Sequence, residues 1–455
     1  MSPAAAGSEL LVRGAEMVVT MDDRRRVLRG ADVLVRDGRI AAVSRVPGAR
    51  AAALARRGGT VLDAAGAIVL PGLVQSHVHL CQTLGRGLAD DLELLTWLRR
   101  RVWPLEAALD ARTARLSAEL GCAELLLGGT TAILDMGTVH HQDEVFDACR
   151  RAGLRAVSGK AMMDAGAGVP RGLRETTQAS LRESDALRAR WQGAAGGRLG
   201  YAYAPRFVLS CTEALMRAVA ERVAAGARVH THASENATEC RLVRARTGLP
   251  NVAYLHRLGL AGPRATLAHC VHVGAGERRL LARAGTHVAH CPSSNLKLAS
   301  GVADVPALRA AGVPVSLGAD GAPCNNNLDA WRELRLCAQL AKVKGGPTAL
   351  PAREALWLAT RGGAAALGLE DEIGSLEVGK RADVVVLRPR ALGAFPPGRD
   401  VYARLVYAAS AADVTDVVVD GRVVVRRGVL RTLDADRLRA LAGSAQARLA
   451  RRAGL

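Results

Sequence analysis

Short apolar runs alternate with amphipathic stretches through the middle of this sequence. The apolar runs have the length and β-branched content of buried strands, and most of the stretches between them repeat hydrophobic positions with the period of a helix. Predicted helices include residues 106–127, 212–225, 275–284 and 352–367. Eight strands alternating with helices over roughly 300 residues predict a (β/α)8 barrel, since a doubly wound sheet would not need eight units. The predicted strands lie near residues 67–79, 129–136, 155–163, 198–205, 227–234, 265–272, 286–291 and 313–319.

The two ends of the chain carry a different pattern, which is that of β-hairpins. An Asp-Gly pair between two apolar runs is a strong hairpin signal, and it occurs at Asp37-Gly38 and again at Asp420-Gly421. We therefore predict that both ends build one small β-sandwich domain into which the barrel is inserted. A terminal helix over residues 434–453 should be capped by Asp434 or Asp436. The predicted division is residues 1–66 with 368–432 for the β-sandwich, 67–367 for the barrel and 433–455 for the C-terminal helix.

Eight of the eleven histidines fall within four of the predicted barrel strands. His77 and His79 end the first strand, and their spacing of two projects both side chains to the same side. His232 ends the fifth strand, His269 lies in the sixth and Asp320 follows the eighth. A barrel keeps its chemistry at the C-terminal ends of its strands. Two adjacent imidazoles are half of a first-row metal site, and the apolar flanks disfavour the alternative of a solvated strand face.

Composition narrows the classes of protein that this chain could be. With 49% hydrophobic residues, a mean hydropathy of +0.10 and no apolar run of membrane-spanning length, we expect a soluble protein without a membrane partner. The net charge of +19 suggests nucleic acid, but the basic residues are nearly all arginines spread over helices, and aromatic residues make up 3%. We expect no nucleic-acid partner. Nine cysteines without a CxxC pair, and no signal peptide in residues 1–7, predict a cytoplasmic protein with reduced thiols.

Together these residues resemble the amidohydrolase superfamily and, within it, the cytosine deaminase-like aminohydrolases. The resemblance covers nearly the whole chain and includes residues 373–386, which match the return of the family chain into its β domain. It implies a metal-dependent deaminase that hydrolyses the exocyclic amine of a small nitrogen heterocycle and releases ammonia. It also implies one divalent metal ion, zinc with iron as the alternative, and a homo-oligomer.

The resemblance also assigns roles to residues. Glu235 matches the acid/base of the family and His269 matches the histidine that hydrogen-bonds the attacking water and the substrate, while Asp320 would help to steer the attack. His230 shares a face with His232 but should lie about 6.6 Å deeper, so we expect it to be packed and hydrogen-bonded. A binuclear form of the superfamily carries a carboxylated lysine on strand four; that strand has none here, which favours a mononuclear site. The metal ligands that the resemblance implies are His77, His79, His232 and Asp320.

The candidate substrate-binding residues resemble those of two different groups within the family. Gln82, Arg206 and Phe207 resemble residues that hold the purine in guanine deaminases. Trp97 and the segment 318–327 instead resemble deaminases of S-adenosylhomocysteine, methylthioadenosine or 5′-deoxyadenosine. Arg206 can hydrogen-bond a ring carbonyl and Phe207 can stack on a flat heterocycle. The resemblance makes an aminopurine base or nucleoside the expected substrate. A triazine hydrolase on the same scaffold is the alternative, and a non-catalytic scaffold or a nucleic-acid binder ranks far below it. The substrate-binding candidates are Gln82, Trp97, Arg206, Phe207 and His269.

Overall fold

Eight parallel strands form a barrel in the computed structural model, which describes residues 9–455. The strands follow one another in chain order, and the last is joined to the first by a bridge between Val78 and Asp320, whose N–H donates to the His77 carbonyl at 3.0 Å. The predicted barrel is confirmed. Its strands are Leu73–Val78, Thr130–Met136, Arg155–Gly159, Leu199–Pro205, Arg228–Ala233, Ala265–His269, His287–His290 and Val315–Leu317.

Helices alternate with these strands, and many begin where a polar side chain caps the first turn. Asp110, Thr176, Thr212 and Asn236 each accept a backbone N–H that the helix itself cannot pair. The predicted helix over residues 106–127 is wrong in its extent, because Asp110 starts a new helix and separates it from Trp103–Ala107. The helices include Ala111–Leu127, Gln142–Ala152, Thr177–Trp191, Glu213–Ala224, Ala237–Thr247, Asn251–Arg257, Ala275–Ala284, Val305–Ala310, Ala330–Gly345, Ala352–Trp357 and Gly363–Leu367.

Two further sheets contain strands from the ends of the chain. A four-stranded sheet and a seven-stranded sheet share a buried apolar layer that includes Val12, Val33, Val69, Val384 and Val418. The four-stranded sheet consists of Glu9–Arg13, Asp32–Arg36, Arg39–Ser44 and Thr60–Asp63. The larger sheet consists of Met17–Val19, Val27–Arg29, Ile68–Pro71, Val384–Leu387, Val414–Val419, Arg422–Arg426 and Val429–Leu430.

Both predicted hairpins are present in these sheets. Asp37 and Gly38 have φ values of 49° and 77°, and Asp420 and Gly421 have values of 52° and 74°, as a tight two-residue hairpin turn requires. The two turns lie against each other: a Cβ added to Gly421 would come within 2.5 Å of the Gly38 Cα. Glycine is therefore needed here both for its backbone conformation and for the close approach of the two ends of the chain.

The predicted first barrel strand, residues 67–79, is wrong as a single strand. Ile68–Pro71 pairs with Val384–Leu387 in the seven-stranded sheet, and only Leu73–Val78 belongs to the barrel. The chain passes between the sheets at Gly72, where a Cβ would lie 1.9 Å from the Thr131 hydroxyl oxygen. The division into residues 1–66 with 368–432, 67–367 and 433–455 stays a prediction. Residues 1–8, and with them the expected absence of a signal peptide, lie outside the described residues.

The C-terminal helix, Ala435–Arg452, packs against Ala111–Leu127. Asp434 is its N-cap and accepts the Arg437 N–H. Gln446 donates to the carbonyls of Leu84 and Arg86, at the end of the turn that follows the first barrel strand. The helix thereby supports the segment that carries His79. From residue 9 to the C-terminus, no helix is long and apolar enough to cross a membrane.

Candidate active site

Four side chains from three separate strand ends meet at the C-terminal mouth of the barrel. His77 and His79 come from the first strand, His232 from the fifth, and Asp320 follows the eighth. The Nε2 atoms of His79 and His232 are 3.2 Å apart. The Asp320 Oδ1 lies 3.3 Å from the Nε2 of His77 and 3.3 Å from that of His79. Residues 77, 79, 232 and 320, predicted from the sequence, therefore form one cluster.

Backbone carbonyls hold two of these imidazoles in one tautomer. His79 donates from Nδ1 to the Met136 carbonyl, and His232 donates from Nδ1 to the Arg206 carbonyl, each at 2.7 Å. A carbonyl oxygen only accepts, so the proton must be on Nδ1 and the lone pair on Nε2. Both lone pairs then face the cluster. Such an outer hydrogen bond is what a metal-ligating histidine needs.

His77 is the most enclosed member of the cluster. Its Nδ1 lies 2.8 Å from the Nε2 of His230, which is itself fully buried. His230 is therefore packed and hydrogen-bonded, as expected for the residue deeper along the strand. The Nε2 of His77 is buried and has no hydrogen-bond partner in the described part of the chain. Burial lowers the pKa of His77 to about 4, so this imidazole is neutral near pH 7.

The donor set fits a divalent metal ion. Tetrahedral zinc with bonds of about 2.1 Å places its ligand atoms about 3.4 Å apart, and the three distances in the cluster are 3.2, 3.3 and 3.3 Å. The Ser294 hydroxyl donates to the Asp320 Oδ2 at 2.6 Å, which leaves Oδ1 facing the imidazoles. Such an ion would bind the buried Nε2 of His77, which has no hydrogen-bond partner in the described part of the chain. It would also bind the Nε2 lone pairs of His79 and His232 and the Oδ1 of Asp320.

Glu235 and His269 lie beside this cluster. The His269 Nε2 is 3.5 Å from the Glu235 carboxylate and 3.8 Å from that of Asp320. The Asn295 side-chain oxygen accepts from His269 Nδ1 at 2.9 Å, so the Nε2 lone pair is free to face the site. Burial raises the pKa of Glu235 well above its ordinary value. This shift favours the protonated form of the carboxyl group.

A narrow cleft opens over these groups. All five residues that the sequence proposed for substrate binding line it, together with Glu235 and every metal-ligand candidate except His77. Leu94 and Leu98, which lie on a short helical segment, add apolar side chains to the lining. The lining residues are His79, Gln82, Leu94, Trp97, Leu98, Arg206, Phe207, His232, Glu235, Glu239, His269 and Asp320.

The sequence analysis missed Glu106, which determines how Arg206 is held. The Glu106 carboxylate makes a two-point ion pair with the Arg206 guanidinium, one contact of which measures 3.0 Å. It also accepts from the Gln82 side-chain nitrogen at 2.7 Å. The side chains of Arg206 and Glu106 are only 4% and 2% exposed. No signal in the sequence shows that the Glu106 carboxylate contacts Arg206, which is 100 positions away.

Two other buried carboxylates were also missed. Asp135, at the end of the second strand, accepts the Leu80 N–H at 2.8 Å and so holds the chain just after His79. Glu239 accepts the Glu235 N–H at 2.7 Å. The spacing of Asn236 and Glu239 is that of a capping box, which could have revealed the second of these residues.

Lys160 pairs with carboxylates outside the cluster of residues 77, 79, 232 and 320. Lys160 is fully buried, and its ammonium group pairs instead with Glu175 and Glu183. Within residues 9–455, the cluster consists of imidazoles and one aspartate, and no lysine belongs to it.

Comparison with known proteins agrees with this site. The amidohydrolase family matches residues 68–424, and the chain belongs to that family. The 5-methylthioadenosine/S-adenosylhomocysteine deaminase of Moorella thermoacetica is 42% identical over 381 residues, which are 83% of this chain and 86% of that protein. The 5′-deoxyadenosine deaminase of Methanothermobacter thermautotrophicus is 39% identical over 444 residues, 97% and 98% of the two chains. The predicted family and enzyme class, a hydrolase acting on carbon–nitrogen bonds, are confirmed.

Solved structures share the whole fold. An adenosine deaminase from Xanthomonas campestris with bound zinc superposes with a TM-score of 0.89 at 34% identity, covering 97% of this chain and 98% of that one. An atrazine chlorohydrolase from Arthrobacter aurescens complexed with zinc gives 0.88 at 26% identity, covering 96% and 100%. A guanine deaminase from C. acetobutylicum with bound guanine gives 0.81 at 26% identity, covering 92% and 99%. All the groups that the sequence resembled are represented among these proteins.

Proposed function

We propose that this protein is a metal-dependent deaminase that hydrolyses the exocyclic amine of an aminopurine base or nucleoside and releases ammonia. The observation that carries the proposal is that Glu235 and His269 lie beside the cluster of residues 77, 79, 232 and 320, and that all of these residues except His77 line one cleft. Support also comes from the relatives, whose names are those of adenosine-type deaminases at 39–42% identity. The protein would act in the cytoplasm, as a homo-oligomer, on a small heterocyclic molecule.

One divalent metal ion, zinc in our proposal and iron as the alternative, would be held by the side chains of the cluster. Zinc is bound in the adenosine deaminase that shares the fold. Such an ion, when bound, supplies a Lewis acid that makes water nucleophilic near neutral pH. The Nδ1 hydrogen bonds of His79 and His232 pre-orient their lone pairs for this role. The proposed ligands are His77, His79, His232 and Asp320.

The reaction itself would depend on Glu235, His269 and Asp320. The Glu235 carboxylate takes a proton from the attacking water and delivers it to a ring nitrogen of the substrate. The carbon that bears the amine becomes tetrahedral, and Glu235 then moves the proton of the added hydroxyl to the amino group. The C–N bond breaks, ammonia leaves and a carbonyl forms beside the protonated ring nitrogen. His269, whose Nε2 lies 3.5 Å from Glu235 and 3.8 Å from Asp320, would orient the water together with Asp320. Burial keeps Glu235 able to hold the proton between the two transfers.

The rest of the cleft would bind the heterocycle. Phe207 and Trp97 offer flat apolar surfaces, and a stacked aromatic pair contributes about 0.5–1.5 kcal/mol beyond its buried area. Gln82 and Arg206 add polar atoms to the lining, and His269 would contact the heterocycle from beside Glu235 and Asp320. All five contacts are proposals about the bound state.

The test is a metal assay followed by an ammonia-release screen. Purified protein would be analysed for zinc and iron and then offered guanine, 5′-deoxyadenosine, S-adenosylhomocysteine and an aminotriazine. We expect about one metal ion per chain and ammonia from a purine compound, with no ammonia from the matched Glu235→Gln variant. Turnover of the triazine alone would replace the purine proposal with a triazine hydrolase. Bound metal without any turnover would contradict the deaminase proposal.

A further inference from the structure

A short helix, Pro292–Lys297, follows the seventh barrel strand and supports two groups of the site. The Ser294 hydroxyl donates to the Asp320 carboxylate at 2.6 Å. The side-chain oxygen of the next residue, Asn295, accepts from His269 Nδ1 at 2.9 Å. Ser294 and Asn295 are fully buried. Asp320 and His269 line the cleft, so the helix acts on the reaction through these two residues.

Asp320 and His269 depend on such support because both have a strained backbone. Their φ values are 64° and 73°, in the left-handed region that residues with a side chain rarely adopt. A residue persists in this conformation only where the surrounding contacts over-determine it. The directions in which these two side chains point are therefore set in part by the residues that hold them.

The helix that supplies this support is itself held from outside. It has only six residues, fewer than an isolated helix needs in water. Among the described residues, Cys291 gives it no side-chain cap, and Pro292 has no N–H, so Ser293 carries its first N–H. Glu333, in the first turn of helix Ala330–Gly345, accepts that N–H at 3.1 Å. The cap of the short helix thus comes from a residue 40 positions away.

The second oxygen of Glu333 holds the other side of the site. It accepts from the Asn325 side-chain nitrogen at 2.9 Å. That nitrogen also donates to the Ala319 carbonyl at 2.7 Å, directly before Asp320. Glu333 is 1% exposed, and both of its oxygens act as acceptors. One buried carboxylate thereby ties the helix that holds His269 to the segment that carries Asp320.

We infer that Glu333 is a positioning residue of the proposed deaminase, which keeps His269 and Asp320 aligned for orienting the attacking water. The inference rests on the proposed function and adds to it a residue that acts through its neighbours. Residues 293, 294 and 295 are consecutive in the short helix, and each makes one of the contacts described above. Successive helical residues point about 100° apart, so a rotation that breaks the Glu333 contact displaces the other two contacts as well.

The test is Glu333→Gln, which keeps the size of the side chain but replaces one acceptor oxygen with a donor. Only one of the two contacts can then remain. We expect kcat for ammonia release, from 5′-deoxyadenosine or from guanine, to fall about 10–100-fold per metal-loaded chain. KM and the metal content should not change, because orienting the water matters in the transition state and not for binding the heterocycle. Because burial raises the pKa of Glu333 to about 7, the assay is run at about pH 8.5, where the carboxylate is ionised.

A second variant and a matched control accompany it. Asn325→Ala breaks the same tie from the other side, at a partly exposed residue, and should also lower kcat without changing KM. The control is Glu277→Gln, because both oxygens of Glu277 likewise accept N–H groups, those of Val252 at 3.0 Å and Gly274 at 3.2 Å. These contacts lie outside the network of Glu333, so kcat should stay at the wild-type value.

A double-variant comparison tests the route of the effect. Ser294→Ala and Asn295→Ala together remove the two side-chain contacts through which Glu333 would act. In that background, adding Glu333→Gln should lower kcat by a much smaller factor than it does in the wild type, because residues on one route are not additive. Losses that multiply in full would show that Glu333 acts elsewhere and would overturn the inference.

The outcomes separate this inference from the function on which it rests. An unchanged kcat in Glu333→Gln and Asn325→Ala, a change confined to KM, or a loss that only follows the metal content would overturn the inference and leave the deaminase proposal intact. Wild-type protein that binds metal but releases no ammonia from any purine would contradict both. A fall in kcat for Glu333→Gln but not for Glu277→Gln, which shrinks in the Ser294→Ala and Asn295→Ala background, would support the inference.

Discussion

The ion pair between Arg155 and Asp383 joins the third barrel strand to the seven-stranded sheet and provides the sharpest stability prediction. Two contacts of 3.0 Å link the guanidinium to the carboxylate, and the side chains are 4% and 2% exposed. The Asp383 Oδ1 also accepts the Asp420 backbone N–H at 2.8 Å. The nearest other carboxylate oxygen to Arg155 belongs to Asp420, at 3.6 Å. The ion pair is therefore buried and bidentate, and it lies in the contact between the barrel and the seven-stranded sheet.

Asp383→Asn removes the charge while keeping the shape of the side chain. The amide oxygen can still accept the Asp420 N–H, but the amide nitrogen then takes the place of the oxygen that accepts from Arg155 Nε and sets two donors against each other. Breaking a buried pair by removing one partner costs about 3–5 kcal/mol, because the other charge is left buried without its partner. Typical proteins are stable by about 5–15 kcal/mol, so this single change should remove a large part of the free energy of unfolding.

Equilibrium unfolding in urea, followed by circular dichroism, measures this loss. The control is Asp436→Asn, whose side chain is 91% exposed and pairs with the exposed Arg439; we expect a change within about 0.5 kcal/mol. Adding Arg155→Met to Asp383→Asn should recover stability, since the unpaired cation is then gone. A free energy of unfolding for Asp383→Asn within about 0.5 kcal/mol of the wild type would refute this reasoning.

Three further predictions follow from the site and its support. Glu235→Gln should lower kcat by about 10²–10⁴-fold with the metal content unchanged; metal loss together with activity would instead assign Glu235 to metal binding. His232→Ala should lower both the metal content, measured by plasma mass spectrometry, and the activity, and excess zinc should restore neither in full. Burial works to raise the pKa of Glu354, but Arg25 and Arg309 outweigh it and hold that pKa at about 2. The ionised form is thus the stabilised one, so the stability lost in Glu354→Gln should be largest above pH 4.5 and should shrink as the pH falls towards 2; a difference that does not depend on pH would contradict the assignment.

Local patterns were sufficient to predict most of the fold. The strands were predictable because each is a short apolar run bounded by turns, and the two hairpins because an Asp-Gly pair adopts the required positive φ values. The histidines at strand ends could be grouped because a parallel barrel brings those ends to one mouth. His77 and His79, with a spacing of two, were therefore expected to share a face before any distance was known.

Features that depend on which distant segments meet were missed. Ile68–Pro71 and Leu73–Val78 form one apolar stretch in the sequence, and only pairing with Val384–Leu387 assigns the first part to another sheet. The ion pair of Glu106 could not be predicted either, because its partner Arg206 is 100 positions away. The sequence alone also does not distinguish a buried glutamate from one on the surface. Periodicity reports the environment of a side chain, not the identity of its neighbour.

The sequence by itself determined the barrel, the inserted arrangement of the two ends and the set of metal-ligand candidates, because these depend on periodicity, turn chemistry and residue type. The tertiary structure alone decided the tautomers of His79 and His232, the orientation of the Gln82 amide and the pairing of Arg206 with Glu106. Each of these depends on a hydrogen bond whose direction is set by a partner brought close only by folding. The class of chemistry could thus be predicted from the sequence, whereas long-range contacts decided how the hydrogen-bond donors and acceptors of the cleft are oriented.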